Sequence, residues 1–442
     1  MTAGKRLFGQ KVYSFPRGGI SFEDSTVPSR NSCVTAFLPS LSVIPLIQHS
    51  GGRAYPVVSV GELVKEGMVI GRGRGSGSAN VHATVPGRVI KMAIWKSAGE
   101  WVRDGIVIRM EGSFEKLGKQ EEVYPWEGML PYDIQRAISE YGVVEMDGRG
   151  RPVSEIISSL RSAPEPYTLV VRCVFDDPWL AADYVLCCER AMAIAEGAAI
   201  TARTCRISRI IYAISHSEKE LGDKFIAAGD KWSIPASSVL VGSRYPQRNR
   251  RELELVLRNY AKKEGIELGT LLILGPATLA AVYDAVKLRK PVLERYISVG
   301  GSAVKQPQVM KVRIGKRIGE VFDECGGFTG KPKRIATGSP LLGRPVVDPD
   351  EPITKTSYAV FALLEGSRQS RLMHRGSCIS CGECRNVCPV GLDPEELYKR
   401  TLLELEATDR AAERHGCGCC EVVCPSRLPL SAAIVASTVR GK

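Results

Sequence analysis

Between residues 45 and 92, apolar and polar positions alternate and glycines recur at the turns, as in PVVSVGELVKEGMVIGRG and VHATVPGRVIKM. A period of two with tight turns predicts short antiparallel strands closed into a small β-sandwich. From 167 to about 289 the pattern changes: the apolar runs TLVVRCVF, SRIIYAI, SSVLVG and TLLILG are separated by stretches of helical period. These stretches are 183–203, 250–263 and PATLAAVYDAVKLR, and the alternation predicts an α/β layer on a largely parallel sheet. Residues 292–365 return to short segments rich in Gly and Pro, which predicts a compact α+β unit of β-grasp character. A polar linker, 366–376, leads to a cysteine-rich segment whose two motifs are joined by a helical stretch at 394–413. The expected division is 1–125, 126–290, 291–365 and 366–442. The most apolar run, 268–286, is broken by Gly275-Pro276 and reads as a buried layer, not a membrane span.

The cysteines of the last segment carry the candidate chemistry. They are spaced Cys378-x-x-Cys381-x-x-Cys384-x-x-x-Cys388-Pro389, then Cys417-x-x-Cys420-x-x-x-Cys424-Pro425. A C-x-x-C-x-x-C loop wraps three corners of an iron–sulfur cubane, and the Cys before Pro caps the other cluster. Paired C-x-x-C units also hold structural zinc, but a tetrahedral zinc site leaves the third Cys and the trailing Cys-Pro without a role. The reading is therefore a two-cluster module of bacterial ferredoxin type. Cys378, Cys381, Cys384 and Cys424 are assigned to the first cluster, a [4Fe-4S] centre; Cys388, Cys417 and Cys420 are assigned to the second. The second set is one ligand short, because Arg414 stands where a thiol is expected. Cys419 or His415 could close it, or the site could be [3Fe-4S] instead of [4Fe-4S]. Cys419 is expected to point away as a spare thiol, since adjacent residues on a tight loop rarely aim at one centre.

Composition narrows the setting. The formal charge is +12, yet Lys and Arg are scattered without aromatic interleaving or a nucleic-acid motif, so an anionic membrane face or an acidic partner is the expected counterpart. MTAGKRLFGQKVYSF lacks the apolar core of a signal peptide, which suits thiols kept reduced in the cytoplasm. Of the five histidines, His49, His82, His216 and His374 read as turn or strand residues, and only His415 lies near a motif. Cys187 and Cys188 read as helix-core residues and Asp176-Asp177 as a solvated loop pair, while 72–78 reads as a surface tip without the helix start that a phosphate cradle requires.

The order of these units resembles the RnfC family, the C subunit of the Rnf electron transport complex, over nearly the whole chain. The resemblance is carried by F-P-R-G-G-I at 15–20, I-P-L-I-Q-H at 44–49, V-H-A at 81–83, R-Y-P-Q at 244–247 and L-E-R at 293–295. It continues with V-G-G-S-A-V at 299–304, G-S-P-L-L-G at 338–343 and the cysteine motifs. It implies an α/β multidomain architecture: an N-terminal β barrel-sandwich hybrid without a carrier lysine, and a central α/β layer like the FMN- and NADH-binding domain of complex I. A β-grasp, SLBB-like unit and an α-helical two-cluster ferredoxin module complete it.

The resemblance also implies a peripheral subunit on the cytoplasmic side of the inner membrane that passes electrons through iron–sulfur clusters in an ion-translocating complex. Its partners would be the membrane subunits and a soluble ferredoxin. Other readings are the family's NADH:FMN oxidation, a cobalamin-reductase-like paralogue of metabolic microcompartments, and a docking scaffold. Against NADH:FMN oxidation stand four altered stretches. The family's G-I-V-G-x-G-G-A-G-F-P-T corresponds here to 142–153, which keeps Gly142, Gly148 and Gly150 but places Glu145, Asp147, Arg149 and Arg151 where bare backbone would meet the flavin. Residues 172–178, 245–250 and 274–278 depart similarly, bringing in Phe175, Arg250 and Pro276. The expectation is a domain that keeps the fold without binding FMN or NADH.

Overall fold

The computed structural model describes residues 11–22, 27–75, 77–96, 102–112, 122–146, 150–365, 376–403, 405 and 416–439. The alternating segment folds as two small antiparallel sheets around one apolar core that includes Ile44, Leu46, Ile70, Val81, Val89, Ile106 and Ile108. Leu41–Pro45, Val102–Met110, Gly87–Lys96 and Leu63–Val64 form one sheet, and Tyr55–Pro56, Val69–Arg72 and Val81–His82 the other.

The four runs of the α/β layer become Tyr167–Cys173, Arg209–Ser215, Ala236–Val241 and Thr270–Leu274, all paired in parallel. Their order places Tyr167–Cys173 between Arg209–Ser215 and Thr270–Leu274. Successive strands step one way from Tyr167–Cys173 and the last returns to its other side. This creates a topological switch point at the carboxyl ends of Tyr167–Cys173 and Thr270–Leu274, where open α/β sheets form their crevice. The helix expected over 183–203 is two, Ala182–Glu189 and Ala191–Cys205. The break falls at Arg190, whose backbone leaves helical geometry (φ −125°) while its guanidinium grips Asp284 in two bonds of 2.9 and 2.6 Å. Cys187 is buried in the core as expected, but Cys188 is exposed.

In the β-grasp unit, the helix Ile318–Glu324 and a mixed six-stranded sheet enclose Ile297, Val299, Val312, Phe322 and Val360. Its edge strand comes from far upstream: Cys33–Thr35 pairs in parallel with Gln308–Arg313. Tyr13 bridges to Val241 and Ile20 to Tyr245, so the first described residues lie on the α/β layer, outside the barrel.

Three units meet at Lys355. Its side chain is 1% exposed, and Nζ donates to the carbonyls of Asn80 (2.6 Å) and Gly142 (2.7 Å). Burial lowers its pKa to about 7. His49 and His82, buried beside it, are lowered to about 4 and about 3, chiefly by desolvation and then by the Lys355 charge, so both stay neutral and structural at neutral pH.

Candidate iron–sulfur centres and the altered flavin loop

The cysteine segment folds as a quasi-repeat. C-G-E-C-R-N-V-C-P at 381–389 is matched by C-G-C-C-E-V-V-C-P at 417–425. In each, the glycine after the first Cys takes a left-handed conformation, Gly382 at φ 76° and Gly418 at φ 80°, and starts a short helix, Glu383–Asn386 or Cys419–Val423. Glycine takes this left-handed turn without the steric cost a side chain would add. After each Cys-Pro the chain curls back, and the N–H groups of Leu392 and Leu428 donate to the sulfurs of Cys388 (3.2 Å) and Cys424 (3.5 Å). N–H donors of this kind stabilise thiolate charge and tune cluster potentials.

Between the repeats lie two cavities. Cys378, Cys381, Cys384 and Cys424 line one, with Ile379, Glu395 and Leu428. Cys388, Cys417 and Cys420 line the other, with Cys419, Leu392, Ser431 and Ile434. The seven motif cysteines thus line two cavities, each of which takes a Cys-Pro thiol from the opposite repeat. Among the described residues, no three His, Cys, Asp or Glu side chains form a group suited to a single metal ion. The thiols ring cavities, an arrangement whose donors fit the separate corners of a polynuclear cluster. Cys419, expected as a spare thiol, is fully buried and is among the residues lining the second cavity. Residues 414 and 415, the other places where the missing ligand was sought, lie outside the described residues.

The two sites differ in access. Cys381 is exposed and Cys378 and Cys424 are half-buried, so the first site opens to solvent. The second is enclosed, with Cys388, Cys417 and Cys420 all buried. Its cover comes from the rest of the chain. Ile20, Tyr245 and Leu341 pack on Cys417 and Cys419. Gly19 N–H donates to Val387 O at 2.9 Å, and a Cβ on Gly18 would stand 2.6 Å from the Cys388 backbone. Gly18 of the F-P-R-G-G-I motif thus lies directly against the cysteine segment, and Gly19 against Phe15 and Tyr245. Burial pushes the Cys420 thiol up, while contact with the Cys417 thiol and burial do the same for Cys419, so both are protonated at neutral pH.

At the switch point of the α/β sheet the altered loop folds back on itself. Val144 bridges to Pro152, and Glu145 N–H donates to Arg151 O at 2.8 Å. Met146 is 3% exposed, its N–H donating to Thr278 Oγ1 (3.0 Å) at the start of helix Pro276–Lys287 and its carbonyl accepting from Arg295 (3.1 Å). Gly142 and Gly150 keep left-handed backbones (φ 65° and 74°), while Gly148, Asp147 and Arg149 lie outside the described residues. Arg151 reaches Glu155 at 3.4 Å.

Asp176 and Asp177 overturn the expectation of a solvated pair: they are 4% and 1% exposed, beneath Arg248. Asp176 Oδ2 accepts from Arg248 N–H (2.8 Å), and Asp177 Oδ1 from Trp179 N–H (3.1 Å). Burial dominates, raising Asp176 to about 7 and Asp177 above the usual carboxylate range. The acidic dipeptide gave no sign of this in the sequence, because its cover, Tyr245 to Arg248 and Tyr358, comes from distant segments.

Comparison with known families agrees with this layout. Residues 14–113 match the RnfC barrel sandwich hybrid domain, 138–284 the Nuo51 FMN-binding domain and 296–346 the SLBB domain. The chain is 31% identical over 391 residues to the C subunit of the ion-translocating oxidoreductase complex of Rhodobacter capsulatus, covering 87% of this chain and 74% of that protein. It is 28% identical to the C subunit of the proton-translocating ferredoxin:NAD(+) oxidoreductase complex of Clostridium ljungdahlii, covering 86% and 83%. With the C subunit of the Na(+)-translocating ferredoxin:NAD(+) oxidoreductase complex of Acetobacterium woodii the identity is 24%, covering 80% of each. With its barrel, FMN-domain fold and β-grasp unit in the family's order, this chain belongs to the RnfC family, the C subunits of ion-translocating oxidoreductase complexes.

Proposed function

We propose that this chain is the peripheral electron-transfer subunit of a membrane-bound redox complex that couples electron flow to ion translocation. The observation that carries the reading is the pair of thiol cavities, one with an exposed thiol and one with buried thiols packed against the α/β unit. Cys378, Cys381, Cys384 and Cys424 would hold a [4Fe-4S] cluster, and Cys388, Cys417 and Cys420 would anchor a second. Such clusters supply one-electron transfer. The chain's own part is to hold the thiolates, donate N–H groups to their sulfurs and exclude water from the inner site.

Among the described residues no helix is long and apolar enough to cross a membrane. Attachment on the cytoplasmic side of the inner membrane would then rest on membrane subunits and on the net charge of +12. Soluble ferredoxin or a neighbouring subunit would exchange electrons at the open first site.

A second reading, NADH oxidation through FMN on this chain, is favoured by the match to the Nuo51 FMN-binding domain. The loop at the switch point opposes it, because Met146 is held there by hydrogen bonds to Thr278 and Arg295 and Glu145 brings a carboxylate to the loop. Anaerobic purification followed by iron, sulfide and flavin analysis and EPR tests both. Two cluster signals without flavin support the first reading, and a chain without iron or sulfide overturns it.

A further inference from the structure

We propose that Cys419 is the fourth thiolate of the second centre, taking the place of the thiol that position 414 lacks. The inference rests on the iron–sulfur reading of the two cavities. Three of the second cavity's thiols, Cys388, Cys417 and Cys420, have counterparts in the first, namely Cys424, Cys381 and Cys384. The fourth corner of the first site is closed by Cys378, which lies three residues before Cys381. Three residues before Cys417 stands Arg414. A guanidinium stays protonated and offers iron no lone pair.

The cavity nevertheless has a fourth thiol. Cys419 lines it together with the other three, and its sulfur lies within hydrogen-bonding contact of the Cys417 sulfur. The repeat shows that this is specific to the second site. Cys419 corresponds to Glu383, which is exposed, whereas Cys419 is fully buried. Cys419 opens the short helix directly after left-handed Gly418, two residues beyond Cys417.

Outside the thiol cluster the Cys419 sulfur is held only loosely among the described residues: its contact with Tyr245 O spans 4.0 Å, the outer limit for sulfur. On cluster assembly each cysteine would lose its thiol proton to solvent and form one iron–sulfur bond, Cys419 included.

The competing account is that Cys419 only fills space against Ile20 and Tyr245, as buried free cysteines commonly do. Three full-length proteins separate the two accounts: the unaltered chain, Cys419→Ala, and Cys419→Ala combined with Arg414→Cys. Each is purified anaerobically, its iron and sulfide are counted, and its EPR and Mössbauer spectra are recorded. The unaltered chain is expected to hold two cubanes. Cys419→Ala should keep the first centre's signal and convert the second to a three-iron centre or lose it, lowering iron by roughly one to four atoms per chain. The double variant should restore the second cubane.

Two cubanes in Cys419→Ala overturn the assignment, as does a three-iron second centre in the unaltered chain; either leaves the iron–sulfur function standing. Loss of the second centre in both variants makes Cys419 a packing residue and also overturns it. A chain without iron in any form removes the functional reading, and the assignment with it.

Discussion

The Tyr245 hydroxyl donates to the Cys417 carbonyl across 2.7 Å, joining the α/β unit to the loop of the enclosed thiol cavity. Tyr245 is 3% exposed, and burial pushes its phenol well above the usual value, so it remains a donor at every working pH. Removing a buried hydrogen bond while keeping the ring costs about 1–3 kcal/mol. Tyr245→Phe is expected to lose its second centre to air faster than the unaltered chain, with the first centre's EPR signal decaying at the same rate as before. Equal decay of the second centre in both proteins means that the loop is held by its apolar cover alone.

Cys381→Ser tests the first centre. Cys381 is exposed, so the substitution disturbs little packing, and its effect is read through ligation. The variant is expected to lose roughly four iron atoms per chain and one of two cluster signals, and to unfold its C-terminal module at lower temperature because ligation and folding are coupled. Iron content and spectrum matching the unaltered chain remove Cys381 from the ligand set.

What the sequence made legible was local. Cysteine spacing predicted which thiols share a cavity, since a C-x-x-C loop and a Cys-Pro turn are set by a few neighbouring dihedrals. The parallel strands were legible because buried strands are continuous apolar runs. What stayed hidden depends on partners far along the chain. Arg190 interrupts a continuous helical pattern while holding Asp284, 94 residues away. Cys33–Thr35 looks like part of the barrel region, yet its pairing strand begins at Gln308. Cys419 is buried only because Tyr245 and Ile20 arrive from other units, and no spacing rule contains that contact.

Asp176 gives the stability a pH dependence with a definite sign. Its folded pKa, about 7, lies above the unfolded carboxylate value, so the folded chain binds the extra proton between roughly pH 4 and 7. Its contribution is complete below the unfolded pKa and is lost as pH rises through the folded pKa, above which the buried carboxyl is ionised. Asn can still accept the Arg248 N–H bond without the charge. Asp176→Asn is therefore expected to raise the unfolding midpoint at pH 8 and to change it little at pH 4. The Arg248 guanidinium favours the ionised form and moderates the gain. An equal shift at both pH values, or a lower midpoint at pH 8, shows that Arg248 dominates instead.

The net charge of +12 predicts how the chain is attached. Attraction between exposed charges is screened over about 8 Å at physiological ionic strength and over less in strong salt. Washing membranes with high salt is expected to release much of this subunit. Retention through salt, with release only in detergent, points to an apolar interface with the membrane subunits.

The α/β unit is expected to bind no FMN tightly and to oxidise no NADH. A flavin at the switch point needs an open crevice where backbone amides meet the phosphate and an apolar slot takes the ring. Here Met146 of the loop sits against the start of helix Pro276–Lys287. Met146 is buried in the core with its amide on Thr278 and its carbonyl on Arg295, and admitting a ring requires breaking both bonds and exposing Met146. On the neighbouring strand end Phe175 packs edge-on against Tyr184, with ring centres 5.4 Å apart, beside the buried Asp176 and Asp177. Phe175, Tyr184 and Met146 thus add side-chain bulk at the carboxyl side of the sheet. Arg151 supplies positive charge near the loop, but it reaches Glu155, which offsets its pull on a phosphate. Anaerobic protein incubated with excess FMN and desalted should retain flavin well below one per chain, and NADH should not reduce an artificial acceptor above the protein-free rate. Stoichiometric flavin with NADH turnover means that the loop opens, and it returns the chain to NADH oxidation.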